Sequence, residues 1–195
     1  NANQPSSRRE FIRTTAIAGG AIAVGLEHLI SSDSIAAEVG SKDSGWFDRP
    51  MRWAQLTLVE DDPGKFDLKF WLDYFKRTRS DAVTLSAGGC VAFYPTQIPF
   101  HHRSQWLGES DPFGDLVKGC RKLGMVVIAR TDPHATYDDV QQAHPDWIAT
   151  GAEGKPRRHW ASPEMWVTCG LGPYNFEFMT EVKREIMSRY RVDGI

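Results

Sequence analysis

The chain has 195 residues with 23 basic and 25 acidic side chains, a net charge of −2, and an apolar content of 41%, enough for a globular core. So even a balance implies no basic face, which argues against a nucleic-acid partner. The three Cys (Cys90, Cys120 and Cys169) form an odd set without CxxC or Cys/His spacing, which excludes a complete disulfide framework and a zinc ribbon.

Ser7-Arg8-Arg9-Glu10-Phe11-Ile12 resembles the twin-arginine export motif. A weakly apolar stretch, Thr14 to Ile30, follows and is interrupted by Glu27 and His28, so it is poor for a membrane span of ~20 apolar residues. Ser34-Ile35-Ala36 offers a small-x-small cleavage site. Residues 1–36 therefore read as an export signal, and residues 37–50 as a polar linker. The protein is expected outside the inner membrane of a bacterial-type cell, periplasmic or extracellular, with the twin-arginine machinery as a partner. A retained signal would make it membrane-anchored instead.

A βα pattern then repeats. Residues 52–59 read as strand one. Asp67 caps a helix with apolar Leu68, Trp71, Leu72 and Phe75 at helical spacing. Residues 82–86 form strand two, closed by Gly88-Gly89. Asp111-Pro112 starts a helix striped by Phe113, Leu116, Val117 and Cys120, and Gly124 ends it. Residues 125–130 are strand three. A long loop follows, then a helix striped by Phe176, Met179, Val182, Ile186 and Tyr190, and strand four from Val192. Alternating strands and helices predict a parallel sheet. The loops after strands two and three are long, as in a barrel whose site is built from its βα loops. A doubly wound open sheet competes, but no G-x-G-x-x-G turn follows strand one. The expected fold is α/β, the N-terminal half of a (β/α)8 barrel over residues 51–195. A whole barrel takes ~250 residues, so the chain reads as a fragment ending inside strand four.

Chemistry is expected at the carboxyl ends of the strands. Glu60 follows strand one, and the alternative for it is a solvated acidic turn. After strand two, Tyr94 offers a ring and a hydroxyl to a sugar. His101 and His102 suit sugar hydrogen bonding better than metal binding, because adjacent residues of an extended chain point opposite ways. After strand three, Arg130 and Asp132 share a face. Arg130 can hold hydroxyls or a carboxylate by its planar fork, and Asp132 can act as general base, nucleophile or hydroxyl acceptor. His134 stands close behind. Trp147 is either a stacking platform or a plug that holds the loop down. Thr168 and Tyr174 lie toward the same end.

Four motifs, in order, resemble the hypothetical glycosyl hydrolase 6 family: Tyr94-Pro95-Thr96, Ala129-Arg130-Thr131-Asp132, His144-Pro145-Asp146-Trp147 with Gly154-Lys155, and Tyr190-Arg191-Val192-Asp193-Gly194-Ile195. The resemblance runs from Asp81 to Ile195. It implies a barrel related to α-L-fucosidases and β-galactosidases and a carbohydrate substrate. No cofactor and no metal are expected, since strand one carries no H-x-H and no H-E-x-x-H helix is present. The resemblance also implies a principal carboxylate at the far end of strand four, beyond Ile195, with Asp193 at the wrong end of that strand. The catalytic candidates are Asp132 and Glu60. The substrate-binding candidates are Tyr94, His101, His102, Arg130, His134, Trp147, Thr168 and Tyr174. Two alternatives stay open: a metal-dependent barrel hydrolase using His101, His102, His134 and Asp132, and a carbohydrate-binding barrel without catalysis. A homo-oligomer of the full-length protein also stays open.

Overall fold

The structure, a computed structural model, describes residues 45–195. The expected export signal, residues 1–36, and most of the expected linker lie outside the described residues. Among the described residues, no helix is long and apolar enough to cross a membrane.

Three strands, β1 (Trp53–Leu56), β2 (Ala82–Gly88) and β3 (Val126–Thr131), form a parallel sheet in the order β1-β2-β3. Leu56 lies opposite Leu85, and Leu85 opposite Ala129. A fourth parallel position follows, where Gly194 bridges Ile128 and Ala129 N donates to Gly194 O at 2.9 Å. The strands thus neighbour one another in chain order, as barrel strands do. Val83, Leu85, Val127 and Ala129 are buried on one face of the sheet and Ala82, Ser86 and Val126 on the other, and this is why β2 and β3 read as nearly continuous apolar runs.

β1 is shorter than the expected 52–59. Beyond Leu56 the backbone leaves the ladder for side-chain partners. Leu58 N donates to Ser86 Oγ at 3.2 Å, and Val59 N to Asp62 Oδ2 at 2.7 Å.

Helix α1 (Leu68–Arg77) begins at Asp67, whose Oδ1 accepts from Phe70 N at 3.0 Å. Lys76 and Arg77 in its last turn complement the helix dipole. Helix α2 (Pro112–Lys122) begins at Asp111, which accepts from Gly114 N at 2.9 Å, and Gly124 at φ +74° follows its end. Its stripe of Phe113, Leu116, Val117 and Cys120 is buried. It packs on β2 and β3, and α1 packs against it.

The long loop after β3 has structure of its own. It holds a short helix α3 (Asp138–Ala143) and two short strands, β4 (Ala135–Thr136) and β5 (Trp166–Val167), paired antiparallel. Bridges Ile148↔Thr168 and Arg158↔Trp166 extend this rim. Backbone groups in so long a connection need partners, and the loop finds them within itself.

Helix α4 (Met179–Tyr190) is preceded by one π-helical turn over Tyr174–Phe178. This corrects the expected stripe. Met179, Val182 and Ile186 are buried, but Phe176 is exposed, and Tyr174 and Phe178 face the core instead. The cause is the wider turn: Met179 N bonds to Tyr174 O five residues back, so the phase of a 3.6-residue repeat fails there.

At the leading end of strand four, Asp193 Oδ2 accepts from Val127 N at 2.8 Å. Asp81 does the same for Arg52 N, also at 2.8 Å. Both carboxylates close the amino-terminal side of the sheet, away from the cleft described next.

Candidate active site

A cleft of about 200 Å³ opens at the carboxyl ends of the strands. Glu60, Gly88, Gly89, Cys90, Asp132 and His134 line it. Three strand ends therefore contribute, as expected of a barrel mouth.

Glycine sets the spacing here. A Cβ on Gly89 would fall 2.7–2.8 Å from Asp132 backbone and Cβ atoms, and Asp132 N donates to Gly88 O at 3.0 Å. The two strand ends approach so closely that a side chain at position 89 would displace Asp132.

Arg130 and Asp132 share a face. The Arg130 Nη2 group lies 3.0 Å from Asp132 Oδ1 and 2.8 Å from Oδ2, while Nη1 donates to Thr57 Oγ1 at 2.9 Å. Arg130 is thus engaged in orienting Asp132 rather than lining the cleft. Both side chains stay partly exposed.

Glu60 is exposed, and its Oε1 accepts from Tyr137 Oη at 2.8 Å. Its own carbonyl accepts from Ser104 Oγ, which fixes the turn. Burial, with help from the Glu60 carboxylate, pushes the Tyr137 phenol well above its usual range, so it is a standing donor. The Cys90 thiol is pushed up to about 11, first by burial and then by Asp132 and Glu60, despite a backbone hydrogen bond from Ala135 that opposes the shift. It therefore stays a thiol at neutral pH. All three cysteines are free, and Cys120 is core.

Several expected sugar contacts lie elsewhere. Tyr94 is 0% exposed, and its hydroxyl donates to Glu185 Oε2 at 2.8 Å, so it offers nothing to the cleft. His101 is buried behind Gly88, where a Cβ would stand 2.9 Å from its Nε2. Nε2 has no hydrogen-bond partner, and burial lowers the pKa of the ring to about 4. His102 is held by Asp139 at 2.8 Å, with its ring edge-on to Tyr137. Trp147, 9% exposed, stacks on His144 at 3.9 Å and meets Tyr174 and Phe178, so it is the plug rather than the platform. Tyr174 is buried with it. Thr168 is buried and donates to Pro133 O at 2.5 Å, which ties down the loop that presents His134. The metal-hydrolase set is therefore not brought together: His101 is behind the strand, His102 is on the rim, and only Asp132 and His134 share the cleft. Among the described residues, no three His, Cys, Asp or Glu side chains gather as a metal site.

Sequence reasoning missed Tyr137 and Glu185. Tyr137 sits next to the acidic start of α3, a pattern that reads as a helix cap. Glu185 adjoins the buried Ile186 on α4 and carries no signal of its own.

A parallel βα sheet with its strands neighbouring one another in chain order is the arrangement of a partial (β/α)8 barrel. Residues 67–195 match the hypothetical glycosyl hydrolase 6 family, and the chain belongs to that family. No curated protein matches it by sequence. Among solved structures, it is similar to α-L-fucosidase isoenzyme 2 from Paenibacillus thiaminolyticus, with a TM-score of 0.57 and 20% identity over 75% of this chain and 23% of that one. It is similar also to a maltogenic α-amylase from Thermotoga neapolitana, with a TM-score of 0.51 and 18% identity over 73% of this chain and 38% of that one. A hypothetical protein from Ruminiclostridium thermocellum ATCC 27405 matches with a TM-score of 0.50 and 14% identity over 70% of both chains. These likenesses establish the barrel fold. The chain spans about a quarter of the fucosidase and well under half of the amylase.

Proposed function

We propose that the protein is an exported glycoside hydrolase acting on a carbohydrate through carboxylates, with Asp132 and Glu60 serving the reaction. The observation that carries this is the shared cleft of Asp132 and Glu60 at the carboxyl ends of β3 and β1. Glycoside hydrolysis normally takes a pair of carboxyl groups across the scissile bond. Asp132, oriented by Arg130, acts on the glycosidic oxygen or anomeric carbon. Glu60, oriented by Tyr137, binds hydroxyls or activates water. Family membership and the barrel fold support the reaction class.

The test is hydrolysis of a panel of 4-nitrophenyl glycosides by the full-length protein, including the α-L-fucoside and α-glucoside. Turnover of at least one is expected, with large losses in Asp132→Ala and Arg130→Ala and none on adding a chelator. Activity abolished by chelator and restored by zinc would overturn the reading in favour of a metal hydrolase. Export rests on Arg8-Arg9. Replacing both with Lys should leave the protein in the cytoplasm, read by cell fractionation, and unchanged export would remove that part.

A further inference from the structure

Trp160 is 84% exposed, the most exposed indole among the described residues, and nothing in the core uses it. A single exposed aromatic on a surface is ordinary. This one is the outer end of a line of rings that begins in the cleft. The His134 ring, part of the cleft lining, lies 5.4 Å from the ring of His159, and His159 stacks on Trp160 at 5.5 Å and 29°.

The middle ring is held in place. His159 Nδ1 accepts from Ala161 N at 3.3 Å and from Ser162 N at 3.1 Å, and its backbone N donates to Met165 O at 2.8 Å. With Nδ1 occupied as an acceptor, the proton of the neutral ring sits on Nε2, which is left as a donor. The neighbouring indole is already engaged: Arg158 lies 3.6 Å over the Trp166 ring, and Trp166 Nε1 donates to Asp138 at 2.6 Å. So the rim presents one rigid imidazole donor and one open indole face, on a strap pinned to β5 through the Arg158↔Trp166 bridge.

An indole face takes the C–H face of a pyranose, and imidazole donors take its hydroxyls. We infer that Trp160 and His159 form an outer subsite that holds a second pyranose of an oligosaccharide whose inner residue occupies the Glu60–Asp132 cleft. The protein is then built for oligosaccharides rather than for single glycosides. This rests on the carbohydrate reading of the cleft above.

The experiment uses the full-length protein and an array of fucosyl, galacto-, gluco-, xylo- and manno-oligosaccharides, each printed beside its monosaccharide. The Asp132→Asn variant serves as the non-hydrolysing background. At least one oligosaccharide should bind more tightly than its monosaccharide. Trp160→Ala should reduce that preference about three- to tenfold, the range of one aromatic stacking contact, and Trp160→Phe should keep most of it. Both variants should melt like the parent, because the indole is outside the core. Equal binding of mono- and oligosaccharide, or a preference unchanged in Trp160→Ala, overturns the subsite. Hydrolysis of aryl glycosides with no Trp160 effect sinks the subsite and leaves the hydrolase. Trp160-dependent binding without hydrolysis keeps the subsite and sinks the hydrolase. Neither binding nor hydrolysis sinks both.

Discussion

Glu185 and Asp132 are both carboxylates fixed by neighbours, and they behave as opposites. Glu185, on α4, accepts from Tyr94 Oη at 2.8 Å, Thr96 Oγ1 at 2.6 Å and Gln97 N at 2.7 Å. Burial pushes its carboxyl up, but those three donors outweigh burial and hold it below the usual range. It clamps the loop after β2 onto a helix. Asp132 has one charged partner, lies in a cleft and faces solvent. A carboxylate surrounded by donors contributes to stability. One that is held from a single side has lone pairs left for a ligand. The difference separates scaffold from site more reliably than residue type does, since the aromatic and hydroxyl signals of Tyr94 and Thr96 lead to the scaffold.

The largest expected effect would break the comparison if it failed. Asp132→Ala in the full-length enzyme should cost ~10²–10⁴ in rate, the usual loss for a positioned acid or base, while its melting temperature stays near the parent's. Unfolding without a catalytic defect would make Asp132 another Glu185.

Next comes acid stability on the scaffold side. The buried His101 faces Tyr94, Glu185 and His102, with its Nδ1 3.5 Å from Tyr94 Oη. Burial lowers its folded pKa from the usual 6.5 to about 4. Above pH 6.5 neither state is protonated. Between there and pH 4 the unfolded chain takes up a proton that the folded one refuses, so stability falls as pH falls. The full loss is about 3 kcal/mol. Urea midpoints across this window should flatten in His101→Asn, and identical slopes would refute the assignment.

Glu185→Ala should destabilise by about 2 kcal/mol, the scale of hydrogen bonds to a charged group, with kcat unchanged at temperatures where the variant is folded. Its depressed folded pKa means that the stabilisation is present above the unfolded value and is lost as pH falls through the folded one. Glu185→Gln should therefore lose less stability than the parent on acidification below about pH 4.5. A fall in kcat at full folding would place Glu185 with the site instead.

Smallest is Thr168→Val, which removes one bond to Pro133 O. It should cost about 1 kcal/mol by chemical denaturation and raise KM slightly through the His134 loop. A large kcat effect would return Thr168 to the substrate.

The scaffold was largely readable because its signals are local. Asp67 and Asp111-Pro112 mark helix starts through their own chemistry, and the apolar runs at 82–86 and 125–130 reflect burial on both faces. Arg130 and Asp132 were readable as a pair because they alternate out of one strand end. The failures share a cause. Side-chain type alone points Tyr94, Trp147, Tyr174 and Thr168 toward a sugar, yet their roles depend on partners far along the chain: Glu185 for Tyr94, Phe178 for Trp147 and Pro133 for Thr168. Tyr137 was missed for the same reason, since Glu60 lies 77 residues before it. Phe176 was misplaced because no sequence signal marks a π turn.

That turn has a consequence for insertions and deletions. Losing one residue between Tyr174 and Phe178 would let the segment relax into ordinary α-helix, and Tyr174 would still stand one turn above Met179, because a four-residue ring replaces the five-residue one. Straightening the turn into α-helix with all its residues kept would instead swing everything ahead of Met179 by about 100° around the axis. The rim would then lose the aromatic socket that seats Trp147. The five-residue ring thus takes up one extra residue without changing how rim meets barrel, and a homologue one residue shorter there should keep the same rim on a plain α-helix.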